Sequence, residues 1–520
     1  VNLLNAALEN EGETVERART SHQSDGSFAD LQKLVDEMKA GEVDMLIVDE
    51  ANPIYSAPPD LGFEGALEQV NFVVATSDRV NETARLADYL ATGTHYLEAW
   101  GDANPRDGLY SLQQPAIQPL HNTRPMEESL LVWFGNSGIV ESFKPFLQAP
   151  EKPKTNKINQ NVPHDAGIWY RYLRAHWEAA VYPQADPAVP FGVFWENVLR
   201  EGTLEIAATE QAQPAFRTTA TAEVLPDSLP EASDNDPGDL TTKELQTFAS
   251  IPLYDGRTAN LGHMQELPDP LTKHTWGSYI LLSPRTFKEA DLEQGDILSV
   301  KVASEDGTTT KRRFPAIMQP GLHDDVVAVP LGYGRTHAGV VASDPPVGEN
   351  AFALTRVADG LQALGGIDAT VDQTPDHEEV SIVQGSQVLD LAKRPLLGTA
   401  NKATYDENHS AGVGTHPPDE MLWDAHDYDL KWGMSIDLTK CTGCSACVTA
   451  CQEENNIPVV GRQGIMEGRE MSWMRIDRYF IMPLPGENEE FDKIRADVND
   501  DPMLDEDPYI GFAKQLPETM

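Results

Sequence analysis

The chain has 520 residues, room for roughly three or four domains of 100–200 residues each. Its 39 Lys and Arg face 83 Asp and Glu, a formal net charge of −44. That excess excludes a nucleic-acid binder, which must neutralise phosphates and release counterions, and a protein held to anionic lipid by a basic face. At 40% hydrophobic residues a sizeable core can form, so wholesale disorder is excluded too.

The chain starts Val1-Asn2-Leu3-Leu4-Asn5, without an initiator Met and without the charged and apolar regions of a secretory signal. The expectation is that the N-terminus was removed or that the chain is a fragment. Residues 1 to about 150 read as alternating helix and strand. Apolar residues at 28, 31, 34, 35 and 38 give one helix face, closed by Gly41. Val43–Val48 follows as a buried strand that Asn52-Pro53 breaks into a loop. The unit repeats with strand Phe72–Ala75, a cap at Thr76 or Ser77, and a helix through Leu90. Continuous apolar strands alternating with helices predict a parallel sheet. His95 to Arg124 is too irregular for one element.

Residues 165–200 are aromatic and helical in pattern, with Trp169, Tyr172, His176 and Trp177 spaced to share a face of a packed insertion. Residues 226–239 carry acids and no base and read as a linker or surface loop. From 265 to 400 the texture changes to short strands: Tyr279–Leu282, Ile297–Val302, Arg313–Met318 and Val326–Val329, with a turn at Glu305-Asp306-Gly307 and Pro330 ending the last. Such spacing predicts a small β-barrel. Residues 401–432 read as a connector, and 486–508 as an acidic tail. No run approaches about 18 consecutive apolar residues, so no membrane-spanning helix is expected.

All 4 cysteines fall in one short block, Cys441-Thr-Gly-Cys444-Ser-Ala-Cys447-Val-Thr-Ala-Cys451. A disulfide scaffold would scatter them; this block serves local chemistry. The spacing C-x2-C-x2-C-x3-C lets three thiolates wrap one turn onto corners of an iron–sulfur cube, while the fourth serves a second cube. Gly443 lets the backbone bend, and Ser445, Ala446, Thr449 and Ala450 leave room. Structural zinc needs a second ligand pair, which this chain lacks; another metal or free thiols are the alternatives. The set is incomplete, so the remaining ligands are expected beyond Met520. No P-loop, G-x-G-x-x-G, H-E-x-x-H or nucleophile elbow occurs, and no catalytic residue is assigned. Gly332-Tyr-Gly334-Arg335 reads as a barrel turn, His95, Glu98 and Asp102 as structural, and His323-Asp324-Asp325 as a solvent-facing turn.

Asn52-Pro53-Ile54-Tyr55, Glu82-Thr83, His95-Tyr-Leu-Glu98-Ala-Trp100-Gly101-Asp102 and Gln114-Pro115 with Pro119 resemble the later half of the molybdopterin oxidoreductase catalytic domain. Glu266-Leu-Pro-Asp269-Pro270, Thr272-Lys273, Trp276-Gly277 and Gly332–Arg335 resemble that family's dinucleotide-binding barrel, a six-stranded, double-psi-like fold. The block from Met434 through Cys451 to Asn455-Asn456 and Gly468–Tyr479 resembles ferredoxin-type 4Fe–4S subunits. Both modules in one chain resemble the large iron–sulfur subunit of alternative complex III, a bacterial quinol-oxidising membrane complex. The divisions follow: 1–264, a partial molybdopterin oxidoreductase-like α/β domain; 265–400, the barrel; 401–432, the connector; 433–520, the start of the ferredoxin-type domain.

The resemblance implies 4Fe–4S clusters on Cys441, Cys444, Cys447 and Cys451, and no molybdenum cofactor. It implies a periplasmic position against integral membrane quinol-binding subunits and cytochrome c subunits. Electrons would pass to a cytochrome c or a high-potential iron–sulfur protein. Gln452 stands where small ferredoxins have Pro, as in the larger electron-transfer subunits. A true molybdopterin-dependent reductase with its own 4Fe–4S module is the second reading, and a bracing subunit the third.

Overall fold

The structure, a computed structural model, describes residues 21–22, 26–148, 167–185, 188–207, 236–304, 307–358, 360–384, 388–389, 400–411, 430 and 433–481, with a few isolated positions before residue 15. The acidic stretch up to 235, most of the connector from 412 to 432 and the tail 486–508 lie outside the described residues. The chain divides into two units, Val1–Ser233 with Val357–Gln362 and Asp234–Arg356 with Ala363–Met520.

In the first unit Ser27 caps helix α1 (Phe28–Lys39) in a reciprocal box with Asp30, a device contributing about 1 kcal/mol. Val35 and Met38 on its apolar face are fully buried against Leu61, Phe63 and Val73. Strand β1 (Met45–Val48) leads into a one-turn helix α2 (Pro53–Ser56), and α3 (Phe63–Leu67) precedes β2 (Phe72–Ala75). β1 and β2 pair in parallel from Met45↔Phe72 to Val48↔Ala75, and β2 pairs in parallel with β3 (Tyr89–Leu90). The parallel sheet is there.

The helix expected up to Leu90 is not. A 3-10 turn, Ala84–Leu86, stands in its place. The hydroxyls expected to cap it donate elsewhere: Thr76 to Asp49 at 2.5 Å and Ser77 to the Arg79 carbonyl at 2.6 Å. Asn52 also forms no plain loop, since Pro53 opens α2 from its favoured first position. His95 to Arg124 contains an antiparallel hairpin of β4 (Gly101–Arg106) and β5 (Leu109–Gln113), later joined by β6 (Thr203–Glu205). Between them come α4 (Met126–Ser137), α5 (Ile168–His176) and α6 (Phe191–Glu201).

The aromatic insertion packs as expected, with one correction. Trp169, Tyr172 and His176 stack in a row along α5, at 5.8 and 6.4 Å between ring centres. Trp177 is not in that row. A π-helical turn, Trp177–Val181, turns it into the core with Tyr170, Leu173 and Trp195.

The second unit closes a six-stranded barrel. Its strands are β7 (Lys243–Ala249), β8 (Ile280–Leu282), β9 (Asp296–Ala303), β10 (Thr309–Met318), β11 (Val326–Leu331) and β14 (Ile367–His377); β12 (Arg356–Ala358) and β13 (Leu361–Ala363) form a separate ribbon. The order around the barrel is β10-β8-β11-β7-β14-β9, and a short helix α8 (Pro284–Glu289) follows β8. The barrel therefore begins before residue 265. β7 carries no hydrophobic alternation, because two of its three buried positions, Lys243 and Thr247, are polar. The buried Lys243 ammonium donates to the carbonyls of Pro237 and Asp324 at 3.1 and 2.9 Å, and burial lowers its pKa.

β11 also runs past Pro330, in register with β7 at Pro330↔Phe248, since proline's fixed φ suits extended backbone. Asp324 does not sit idle in solvent: its carboxylate accepts from Ser283 at 2.5 Å and from Arg285 at 3.3 Å. Gly334 has φ +70°, and a Cβ there would stand 2.1 Å from the Asn350 nitrogen. The barrel turn at 332–335 is thus bound to glycine.

Candidate metal centre

The cysteine block runs from a loop into a short helix, α10 (Ala446–Glu454), and a second, α11 (Gly461–Met466), follows it; a capped helix α9 (Lys402–Glu407) lies in the expected connector. Asp437 builds the approach, accepting from the Thr439 amide at 3.0 Å and its hydroxyl at 2.6 Å. Cys441 and Cys444 lie in the loop that follows, and Cys447 and Cys451 on α10, one turn apart. Left-handed Gly443 (φ +73°) and Ser445 (φ +60°) reverse the chain between the first and third cysteine. The side of Gly443 where a Cβ would stand is open.

None of the thiols is in a disulfide; Cys441, Cys444 and Cys447 are exposed and Cys451 is half-buried. The Ala446 amide, and then the Thr442 hydroxyl, hold the Cys444 thiol below its usual pKa, which favours the thiolate a metal needs. Asn455 donates to the Cys451 carbonyl at 2.9 Å and stands 3.6 Å from its sulfur. Four accessible sulfur donors, with open backbone between them, match an iron–sulfur group in donor chemistry. Among the described residues no three His, Cys, Asp or Glu side chains converge as a ligand set, so the thiols are presented along the loop and not closed on a point.

A five-residue helix of the same unit, α7 (Gly262–Glu266), packs against the block. Gly262 faces Val459, whose methyls would stand 3.2 Å from an added Cβ. His263 meets Glu453 at 3.2 Å and the Ile457 carbonyl at 3.0 Å. Glu266 accepts the amides of Val460 and Gly461 at 3.1 and 2.9 Å and the indole N–H of Trp276 at 3.1 Å. Further along, Gln384 exchanges hydrogen bonds with Arg478, and β15 (Val388–Leu389) pairs in parallel with β16 (Phe480–Ile481). These anchors were not assigned from the sequence; only the Glu266–Gly277 motif marked their place.

The other singled-out residues are structural. Asn52 accepts from Thr83 at 2.8 Å and donates to Glu82 at 2.8 Å, tying the loops that follow β1 and β2. His95 accepts from the Leu97 amide, Glu98 from the Leu120 amide, and Asp102 from the Trp177 indole at 2.8 Å. The three do not come together. A cavity of about 730 Å³ in the barrel unit is lined by His274, Trp276, Arg313, Asp344, Glu349 and Arg462, among others.

Known proteins now bear on these modules. A stretch of 31 residues is 68% identical to the iron–sulfur cluster-binding subunit of the menaquinone reductase of Nitratidesulfovibrio vulgaris, over 6% of this chain and 12% of that one. A stretch of 26 residues is 62% identical to the iron–sulfur subunit of the arsenate respiratory reductase of Chrysiogenes arsenatis, over 5% of this chain and 87% of that sequence. In that stretch the chain belongs to the reductase iron–sulfur subunits. Over 306 residues, 57% of the chain, it is 24% identical to the molybdopterin-binding-like subunit of the same menaquinone reductase. The matches span only 12% and 37% of those two menaquinone reductase subunits. No protein-family model matches the chain. Among the described residues no helix is long and apolar enough to cross a membrane.

Proposed function

We propose that this chain is an iron–sulfur electron-transfer subunit of a membrane-bound quinol oxidoreductase of the alternative complex III type. Electrons drawn from quinol in integral membrane subunits pass through it, on the periplasmic side, towards a cytochrome c or a high-potential iron–sulfur acceptor. The observation that carries this reading is one chain with likeness to two different subunits of a single menaquinone reductase, one cluster-binding and one molybdopterin-binding-like. Cys441, Cys444, Cys447 and Cys451 would hold 4Fe–4S clusters, with the remaining ligands outside this chain. A bound cluster supplies one-electron transfer without acid–base machinery.

The protein's own residues do the rest. The Ala446 amide and Thr442 favour the Cys444 thiolate, and Asn455 places an N–H near the Cys451 sulfur, where such donors tune potential. α7 packs against the end of α10. Met434, Ile436 and Leu438 before the cysteines and Trp473 after them stand 75, 56, 76 and 69% exposed, which supports a neighbouring subunit on that side. The molybdopterin-like module serves in this reading as scaffold without molybdenum.

The likeness to an arsenate reductase iron–sulfur subunit favours a second reading, a true molybdopterin-dependent reductase with its own cluster module. Metal analysis of the purified complex separates the two. Iron and sulfide without molybdenum support the first reading. Stoichiometric molybdenum or tungsten with an extractable pterin would replace it with the second.

A further inference from the structure

The last turn of α10 is closed by its own backbone. The Asn455 amide donates to the Cys451 carbonyl at 3.1 Å, the Asn456 amide to the Glu453 carbonyl at 3.2 Å and the Ile457 amide to the Gln452 carbonyl at 3.0 Å. Asn456 is left-handed (φ +51°) and Ile457 is buried, the pattern of a helix end that needs no side-chain cap. The Asn455 side chain is not required for capping, yet it folds back onto Cys451. Its Nδ2 donates to the carbonyl at 2.9 Å and stands 3.6 Å from Sγ. The carbonyl contact fixes which way the amide points, because Oδ1 in that place would set two acceptors against each other. One N–H goes to the carbonyl, and the second is left for the sulfur.

We propose that Asn455 is a potential-tuning residue for the cluster bound through Cys451, and not for the one bound through Cys441, Cys444 and Cys447. This role rests on the function proposed above. An N–H directed at a thiolate sulfur draws off negative charge, favours the reduced cluster and raises its reduction potential. The fourth cysteine of a C-x2-C-x2-C-x3-C block serves a different cube from the first three, so the donors divide between the two. The Ala446 amide and the Thr442 hydroxyl act on Cys444, from the start of α10 and the loop before it. Asn455 acts on Cys451 from the opposite end of the helix. A difference in potential between neighbouring cubes gives electrons a downhill direction, and Asn455 makes the Cys451 cube the better acceptor. Asn455 is exposed, so water competes for its N–H and the effect is modest.

The test is a redox titration of the complex purified without oxygen, followed by low-temperature paramagnetic resonance, in wild type and in Asn455→Leu. Leucine keeps the branched shape and removes the N–H. The variant should lower one midpoint potential, by a shift equal to a roughly two- to tenfold change in the ratio of reduced to oxidised cluster at fixed potential, and leave the other clusters in place. Asn455→Gln, which carries the same donor on a longer stem, should recover part of the shift. Unchanged midpoints in Asn455→Leu, or an equal shift in every cluster, overturn the proposal. A second measurement needs no variant. With asparagine isotopically labelled at its side-chain amide nitrogen, the reduced wild-type protein should show a hyperfine coupling to that nitrogen, and its absence also overturns the proposal. Iron assayed on the same samples separates the two readings. No iron removes the electron-transfer function and the tuning with it, whereas full iron with unchanged midpoints removes the tuning alone.

Discussion

The carboxylate of Glu266 accepts the backbone N–H of Gly461 at 2.9 Å, joining a helix of the barrel unit to the segment that follows the cysteines. The Val460 amide shares the same carboxylate. Glu266→Ala leaves both donors without this partner, at a cost of about 1–3 kcal/mol. The loss is local: exchange at Val460 and Gly461 should accelerate while the barrel strands keep their protection. Unchanged exchange at those two amides would show that the latch does not hold the segment.

Trp177 is fully buried, and its indole donates to Asp102 at 2.8 Å. Asp102→Ala should lower stability by about 1–3 kcal/mol in urea denaturation, because a buried donor is left unpaired. Asp102→Asn, which keeps an acceptor, should cost less. Equal costs would mean that the indole does not depend on this side chain.

Gly334 combines a left-handed backbone with a neighbour 2.1 Å from where a Cβ would be. Gly334→Ala should destabilise the barrel unit by about 2–4 kcal/mol, from the left-handed penalty and from overpacking. Gly307, also left-handed but with open space around it, provides the comparison. Its Ala variant should lose about 1 kcal/mol. Thermal melting that fails to separate the two would contradict the packing argument.

Burial, and after it the charge of Arg462, lowers the His274 pKa to about 3. In the unfolded chain a histidine titrates near ~6.5. Between those values the unfolded state binds a proton that the folded state refuses, so stability is complete above about pH 6.5 and falls as pH drops towards 3. The slope contributed is at most about 1.4 kcal/mol per pH unit. His274→Gln should therefore lose less stability than wild type between pH 7 and pH 5. Parallel losses in the two proteins would remove His274 as the cause.

What could be read from the chain followed from pattern. The face of α1 and the strands β1 and β2 were visible in hydrophobic period, and the strands β8 to β11 in turn spacing. β7 was hidden because Lys243 and Thr247 occupy buried positions that carbonyls and hydrogen bonds satisfy, which no hydrophobic pattern reveals. The helix after β2 was expected because hydroxyls at Thr76 and Ser77 suit a cap; tertiary partners engaged them first. Trp177 left the expected row because a π-helical turn shifts its register on the helix. At the candidate site the spacing of the thiols was legible, and their anchoring by Gly262, His263 and Glu266 was not. Those contacts join positions nearly two hundred residues apart.

The central claim is that these thiols hold iron–sulfur clusters, and the direct measurement is iron and acid-labile sulfide in the complex purified without oxygen. The account predicts iron and sulfide in comparable amounts, with a low-temperature paramagnetic signal on reduction. Cys444→Ser should diminish all three while the barrel unit stays folded. Zinc in place of iron, or full iron and sulfide retained in Cys444→Ser, would contradict it.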